Sequence, residues 1–257
     1  MAGLRAADAG EALIGRRAAG DPQSRRDLGF VPQGLALYPE LTASENLEVF
    51  GGLNGLRGSA QRKRIGELLE AVQLSDRRDS LVRTFSGGMM RRLNIAVALL
   101  HRPRLLLCDE PTVGIDPQSR HAIFQLLQRL NREGMAIIYS THYMEEASRL
   151  CSRIGIIDRG KILALGTLEE LLRMLPFEEE IRFPTGSQTA GLCAELAGLG
   201  ELATEEGLHR FRPRAAFRLS EFYQATERHA IPPRLFASQR PTLEAVFLQL
   251  TGKDLRE

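Results

Sequence analysis

The chain has 257 residues, 43% of them hydrophobic, enough to bury a full core and to hold one large domain, or one large and one small. Its 34 Lys and Arg nearly balance 32 Asp and Glu, and a formal charge of +2 gives no electrostatic footing for a nucleic-acid partner. Cys108, Cys151 and Cys193 lack metal-ligand spacing and fit reduced thiols of a cytosolic protein better than a disulfide framework or a zinc site. No apolar run approaches the roughly 18 residues of a membrane-spanning helix, and no signal-peptide pattern is present.

In chain order, Glu11 to Ala19 predicts a short strand and Gly20-Asp21-Pro22 a turn, followed by an apolar strand from Leu28 to a polar end at Gln33. Thr42-Ala43-Ser44-Glu45 is a capping box, opening a helix that carries Leu47 and Phe50 and is interrupted at Gly51-Gly52. Ile65, Leu68, Leu69 and Val72 form the stripe of a second helix, with Arg62, Lys63 and Arg64 near its start as a solvated face. Ser86, Gly87 and Gly88 precede Met89, Leu93, Val97 and Leu100 at helical spacing, so their N–H groups lie at a helix N-terminus, where an anion binds favourably.

Leu105, Leu106 and Leu107 read as a buried parallel strand, with Asp109 and Glu110 at its carboxyl end, where open α/β sheets bind ligands. One such carboxylate can hold Mg²⁺ while its neighbour orients or deprotonates a water. After a Gly114-Ile115-Asp116-Pro117 turn, a helix bears Ile123, Leu126, Leu127 and Leu130 and ends at Gly134. Met135 to Ser140 is expected to be another buried strand; His142 follows it, and Glu145 and Glu146 sit in the first turn of the next helix, where the macrodipole favours acids. A hairpin turns at Asp158-Arg159-Gly160-Lys161, and Thr167 to Glu170 cap a helix ending near Pro176.

From Phe177 the pattern predicts a strand near Glu180 to Phe183, a helix around Leu192 to Ala197, a hairpin around Gly207, a helix from Leu219 to His229 and a strand near Leu235 to Ser238. His209 and His229 have no obvious ligand partners, and Phe211, Phe217, Phe222 and Tyr223 read as core. The chain closes on an amphipathic helix with Leu243, Val246, Phe247 and Leu250 on one face.

Taken singly, Ser-Gly-Gly reads as well as a plain helix cap and Asp-Glu as well as a solvated turn; their order, with Asp116 following, is informative. The stretch from Phe85 to Pro117 resembles the nucleotide-binding domain of ABC transporters: FSGG resembles the signature motif, LLLCDEP the Walker B strand and Gly114-Ile115-Asp116 the D-loop. Phe85 and Met89 replace the usual Leu and Gln and leave the amide donors intact. The resemblance implies that Asp109 coordinates Mg²⁺ through water and that Glu110 is the general base. It also implies that Ser86, Gly87 and Gly88, with Asp116 of the D-loop, serve an ATP held by a second subunit. Gln33 is similar to the Q-loop glutamine, which touches Mg²⁺ and the attacking water, and His142, in Ser140-Thr141-His142, to the H-loop histidine, which contacts the γ-phosphate.

The fold implied is α/β: an incomplete P-loop NTPase (ABC ATPase) core over 1–175 with a helical subdomain at about 41–100, plus a small C-terminal α+β domain over 176–257. It is incomplete because an ATPase of this type needs Gly-x4-Gly-Lys-Ser/Thr to cradle phosphates, reach their charge and bind Mg²⁺, and no such pattern occurs. Gly15 and Gly20 have the separation, but Asp21 and Pro22 stand where Lys and Ser/Thr are required; Gly252-Lys253 is followed by Asp254 and lacks the first Gly. The resemblance therefore implies a chain cut within the helix after that loop, by an internal start codon, by deliberate shortening or by loss from the gene. Alone, such a polypeptide is expected to bind ATP weakly and hydrolyse it negligibly.

The short separation between Gln33 and Ser86 leaves no room for the long coiled coils of repair ATPases, and a single signature motif differs from the paired domains of translation-type proteins. LYPELTASENL, from Leu37 to Leu47, is similar to ATPase subunits of ABC-2-type exporters, and the ending PTLEAVFLQLTGKDL to those exporting drugs and ions. The likeness implies ATP and Mg²⁺ as ligands, a head-to-tail dimer with a second ABC ATPase subunit, an ABC-2-type permease as membrane partner, and a cytoplasmic site at the membrane's inner face. The alternative is a non-catalytic regulatory or structural subunit that donates its signature motif to a full-length partner.

Overall fold

In the computed structural model, residues 7–177, 179–205, 207–214 and 218–252 are described, the side chain of Gln239 apart. The chain divides into two compact units, Met1–Leu150 and Cys151–Glu257.

The first unit opens with a small antiparallel hairpin, β1 (Leu13–Ile14) and β2 (Arg17–Ala18), before β3 (Leu28–Val31). Helix α1 (Ala43–Leu53) starts on the expected capping box: Thr42 accepts from the Glu45 N–H, and the Glu45 side chain accepts from the Thr42 N–H. It runs on through Gly51 and Gly52 instead of breaking there. The reason is α2 (Gly58–Ala71), whose Gln61 lies so near that a Cβ on Gly51 would stand 2.8 Å from its Nε2. Gly51 thus marks a close helix crossing. Leu47, Ile65, Leu68, Leu69 and Leu93 make the shared core of α1, α2 and α3 (Gly87–Leu99). Arg64 is more than a solvated charge, since its Nη2 and Nε donate to the carbonyls of Leu99 and Leu100 at 2.6 and 3.2 Å and so satisfy the end of α3.

Strand β4 (Leu105–Asp109) pairs in parallel with β3 on one side and β5 (Ala136–Ser140) on the other, with α4 (Pro117–Arg132) crossing between β4 and β5. Successive side chains point to opposite faces. Val31, Leu106 and Cys108 join the core, and Ile137 and Tyr139 pack against it. The other face presents Phe30 and Ile138, 45% and 41% exposed. Among the described residues β5, expected to be a buried strand, has β4 on one side and packs one face on the core. The short α5 (Met144–Leu150) completes this unit.

The second unit begins with the hairpin of β6 (Ile154–Asp158) and β7 (Lys161–Gly166), turning at Arg159 and Gly160, both at positive φ. Helix α6 (Leu168–Leu172) has its capping box but ends short of Pro176. Strands β8 (Glu180–Pro184), β9 (Gly200–Glu205), β10 (Leu208–Pro213) and β11 (Ala237–Gln239) form an antiparallel sheet in the order β11-β8-β10-β9. Helices α7 (Ala190–Leu196) and α8 (Leu219–Arg228) cover it, and Phe183, Phe211, Phe222, Leu192 and Leu196 fill the space between. Tyr223 is 45% exposed, contrary to expectation; Phe217, Lys253 and Asp254 lie outside the described residues. Helix α9 (Leu243–Thr251) packs on α6. The hairpin and α6, expected from sequence in a domain ending at 175, thus lie in the unit that starts at Cys151.

Candidate functional site

Three parallel strands bring their carboxyl ends side by side, and each is an apolar run that stops at polar residues. Gln33 follows β3, Asp109 ends β4 with Glu110 next in the chain, and His142 follows β5. Gln33 Nε2 donates to Glu110 Oε2 at 2.9 Å, and His142 Nδ1 lies 3.1 Å from Glu110 Oε1. Three of the four residues singled out there from sequence, Gln33, Glu110 and His142, are thus joined, and Asp109 is tied to Glu110 through Ser140. A carboxylate only accepts, so the His142–Glu110 contact is a hydrogen bond in the tautomer that carries a proton on Nδ1.

Glu110 has φ +45°, in the left-handed region, which costs an L-residue about 1–2 kcal/mol. That turn swings the chain off the strand axis. The Glu110 N–H is held there by the Ser140 carbonyl at 3.1 Å and the Ser140 hydroxyl at 3.3 Å. The same hydroxyl donates to Asp109 Oδ1 at 2.6 Å, so Ser140 ties both carboxylate residues to β5.

The second group lies at the start of α3. Ser86 is its N-cap, accepting the Met89 N–H at 3.2 Å with its hydroxyl and the Met90 N–H at 2.9 Å with its carbonyl. Ser86 and Gly87 are exposed, whereas Gly88 is buried against α4: a Cβ there would fall 2.0 Å from Ser119 Oγ and 3.1 Å from Asp116 Oδ2. Asp116 caps α4, accepting the Ser119 N–H at 2.8 Å; that bond, reinforced by the Ser119 hydroxyl, holds its carboxyl below the usual range. Among the described residues no hydrogen bond joins Ser86, Gly87, Gly88 or Asp116 to Gln33, Glu110 or His142. The sequence-predicted residues therefore form two groups.

Several supports were missed in the sequence. Arg91, buried on α3, donates to the Pro32 carbonyl at 3.0 Å, and Asn94 accepts the Ala36 N–H at 3.3 Å, so α3 holds both sides of Gln33. Asn46 is fully buried and bonds the Tyr38 N–H and carbonyl at 2.8 and 3.0 Å. Polar residues among the apolar positions of α1 and α3 were the available signal, because buried polar groups need partners. Ser140, one hydroxyl at a strand end, gave none.

The oxygens of Asp109, Gln33 and Ser140 suit Mg²⁺, a hard cation that takes one or two protein ligands and completes its shell with water and phosphate oxygens. Among the described residues no three His, Cys, Asp or Glu side chains cluster as a closed metal cage, which that open coordination does not require. The donor set fits the metal side of a nucleotide site.

Residues 1–113 match the family model described as ABC transporter. A linearmycin resistance ATP-binding protein of Bacillus subtilis (strain 168) is 42% identical over 266 residues, covering 100% of this chain and 85% of that protein. A Nod factor export ATP-binding protein I of Ralstonia nicotianae is 39% identical, over 91% of this chain and 74% of its own length. A dimeric ATP-binding cassette, solved in a post-hydrolysis state bound to ADP and Pi, superimposes with TM-score 0.57 at 31% identity, covering 65% of this chain and 76% of the other. With strands, turns and caps arranged as above, the chain belongs to the ABC transporter family and is built on that family's ATPase domain.

Proposed function

We propose that this chain is the ATP-hydrolysing subunit of an exporter, pairing head to tail with a second ATPase subunit and driving an ABC-2-type membrane permease from the cytoplasmic face. The observation that carries the reading is the bonded row Gln33–Glu110–His142 at the carboxyl ends of parallel strands. Export is supported by the relatives named for Nod factor export and for linearmycin resistance. Pairing is supported by the dimeric cassette and by the exposed Ser86 and Gly87, which no bond links to Glu110. No helix among the described residues is long and apolar enough to cross a membrane, which suits a subunit that needs a permease.

Each oxygen of Glu110 accepts one hydrogen bond and keeps a second lone pair, so the carboxylate can take a proton from water while Gln33 and His142 hold its orientation. Asp109, fixed by Ser140, would hold Mg²⁺ together with the Gln33 carbonyl oxygen; the ion supplies neutralisation of phosphate charge. Ser86, Gly87 and Gly88 would present amide donors to the nucleotide of the partner.

The test is Glu110→Gln in the assembled transporter. ATP turnover should fall by about 10²–10⁴-fold while subunit pairing persists; unchanged turnover overturns the reading. One observation favours a non-catalytic subunit that lends its Ser86–Gly88 turn to a partner: the sequence has no Gly-x4-Gly-Lys-Ser/Thr. Half-of-sites ATP binding in a mixed dimer whose turnover is indifferent to Glu110→Gln would establish it. The assembled Glu110–His142 pair, needed only for the chain's own nucleotide, speaks for the catalytic reading.

A further inference from the structure

Glu146 lies in the first turn of α5 and is only 4% exposed. Four segments converge on its carboxylate. Thr112, in the loop after β4, donates its hydroxyl to both oxygens, at 2.8 and 2.9 Å. The Tyr139 hydroxyl on β5 donates to Oε2 at 2.8 Å, and the Thr141 hydroxyl to the same oxygen at 3.0 Å. On α4, Arg120 Nε stands 3.6 Å from Oε1. Burial, above all, pushes the Tyr139 phenol's pKa up, so it stays protonated and remains a donor.

These partners are not scattered. Thr112 stands two places beyond Glu110, and Thr141 is the residue before His142. Thr141 Oγ1 also accepts the Tyr143 N–H at 3.0 Å, so the backbone on the far side of His142 is tied to the same point. The Tyr143 ring in turn lies 4.1 Å from the His142 ring and beneath the Arg120 guanidinium, 5.5 Å away. A buried carboxylate is costly to desolvate, and apolar side chains of like volume often serve stability as well or better. What a carboxylate adds is several directional bonds from one atom group, and here they run to the neighbours of both members of the Glu110–His142 pair.

We propose that Glu146 is a positioning residue for the Glu110–His142 pair, holding Thr112 and Thr141 to one buried point so that His142 Nδ1 meets Glu110 before any nucleotide arrives. The inference rests on the reading of that pair as the hydrolytic centre; Glu146 itself touches neither water nor phosphate. Its effect passes through Thr141.

The experiment is ¹⁵N spectroscopy of the histidine rings in the full chain, without nucleotide, at a pH raised until the ring signals stop changing. The His142 signals are identified by their loss in His142→Gln. The wild-type ring should be in the Nδ1–H form, bonded to Glu110. Glu146→Ala and Thr141→Val should move it to the Nε2–H form that free imidazole side chains favour, and should speed exchange of the Tyr143 amide by at least about tenfold. Glu146→Gln, whose carbonyl oxygen still accepts the Thr141 hydroxyl, should restore most of the wild-type signal. Tyr139→Phe removes a bond of similar length but leaves the Thr141 link, so it should leave the ring signal in place. If Glu146→Ala does not fold, Thr141→Val decides. An unchanged ring in Thr141→Val, an equal loss in Tyr139→Phe, or a wild-type ring already in the Nε2–H form overturns the proposal. None of these readouts needs ATP, so failure of the hydrolytic reading, seen with Glu110→Gln in the transporter, stays separate.

Discussion

Gly88 shows how much one hydrogen atom in place of a side chain can decide. The first turn of α3 meets α4 there, and an added Cβ would fall 2.4 Å from Ser119 Cβ, which no rotation of the serine can move away. Gly88→Ala should therefore force the two helices apart and cost about 1–3 kcal/mol in urea or thermal unfolding. Ser119→Gly placed beside it should recover most of the loss. At this scale Gln33 and His142, ordinary loop residues after a strand when taken alone, were picked out together with Asp109 and Glu110 by the family resemblance, and the fold sets Gln33, Glu110 and His142 within bonding distance. Ser140 and Glu146 were not legible in the sequence, because a serine at a strand end and a glutamate in a helix's first turn are ordinary on any surface. Only the fold brings Thr112, Tyr139 and Thr141 around the second of them.

Helices announced by their own capping boxes, α1 and α6, start where the pattern placed them, whereas Glu11 to Ala19, expected to carry one short strand, forms a hairpin of two. The capping box at Thr42 is a local device, complete within four positions, and it starts α1 where the pattern placed it. Thr42→Ala should lower stability by about 1 kcal/mol in a denaturant titration, with the Glu45 side chain losing its reciprocal partner. Where elements depend on distant partners, pattern fell short. Helix α1 passes through Gly51-Gly52 because Gln61 of α2 packs on it, and two glycines in a row carry no mark of that neighbour. Strand β5 alternates apolar and exposed positions because its position in the sheet leaves one face open, and that position follows from pairing with a strand about thirty residues earlier.

At the scale of the molecule, two cores that share no residue stabilise the two units. The second has an acid-sensitive joint. Burial raises the pKa of Glu180, but the bonds and charges of Arg212 and Arg182, each 2.8 Å from a carboxylate oxygen, outweigh it and leave the value lowered. A carboxyl depressed in the folded state contributes stability above its unfolded pKa and loses it as pH falls through the folded value. Glu180→Gln should thus be less stable than wild type at neutral pH, and the gap should shrink as pH falls through the depressed folded-state value, read from unfolding of residues 151–257 by hydrogen exchange. The order of elements in this unit was legible in the sequence. That α6 packs on α9 was not, since more than seventy residues separate them and both are short amphipathic helices.

The left-handed backbone of Glu110 carries a consequence in the currency of mutation and drift. Glycine would sit there without strain, so Glu110→Gly should melt at a higher temperature than wild type while losing ATP turnover in the transporter. A chain under pressure only to stay folded would gain by shedding this glutamate. Its presence at a position that disfavours it sets a cost in folding stability at the end of β4 against the two bonds its side chain makes there.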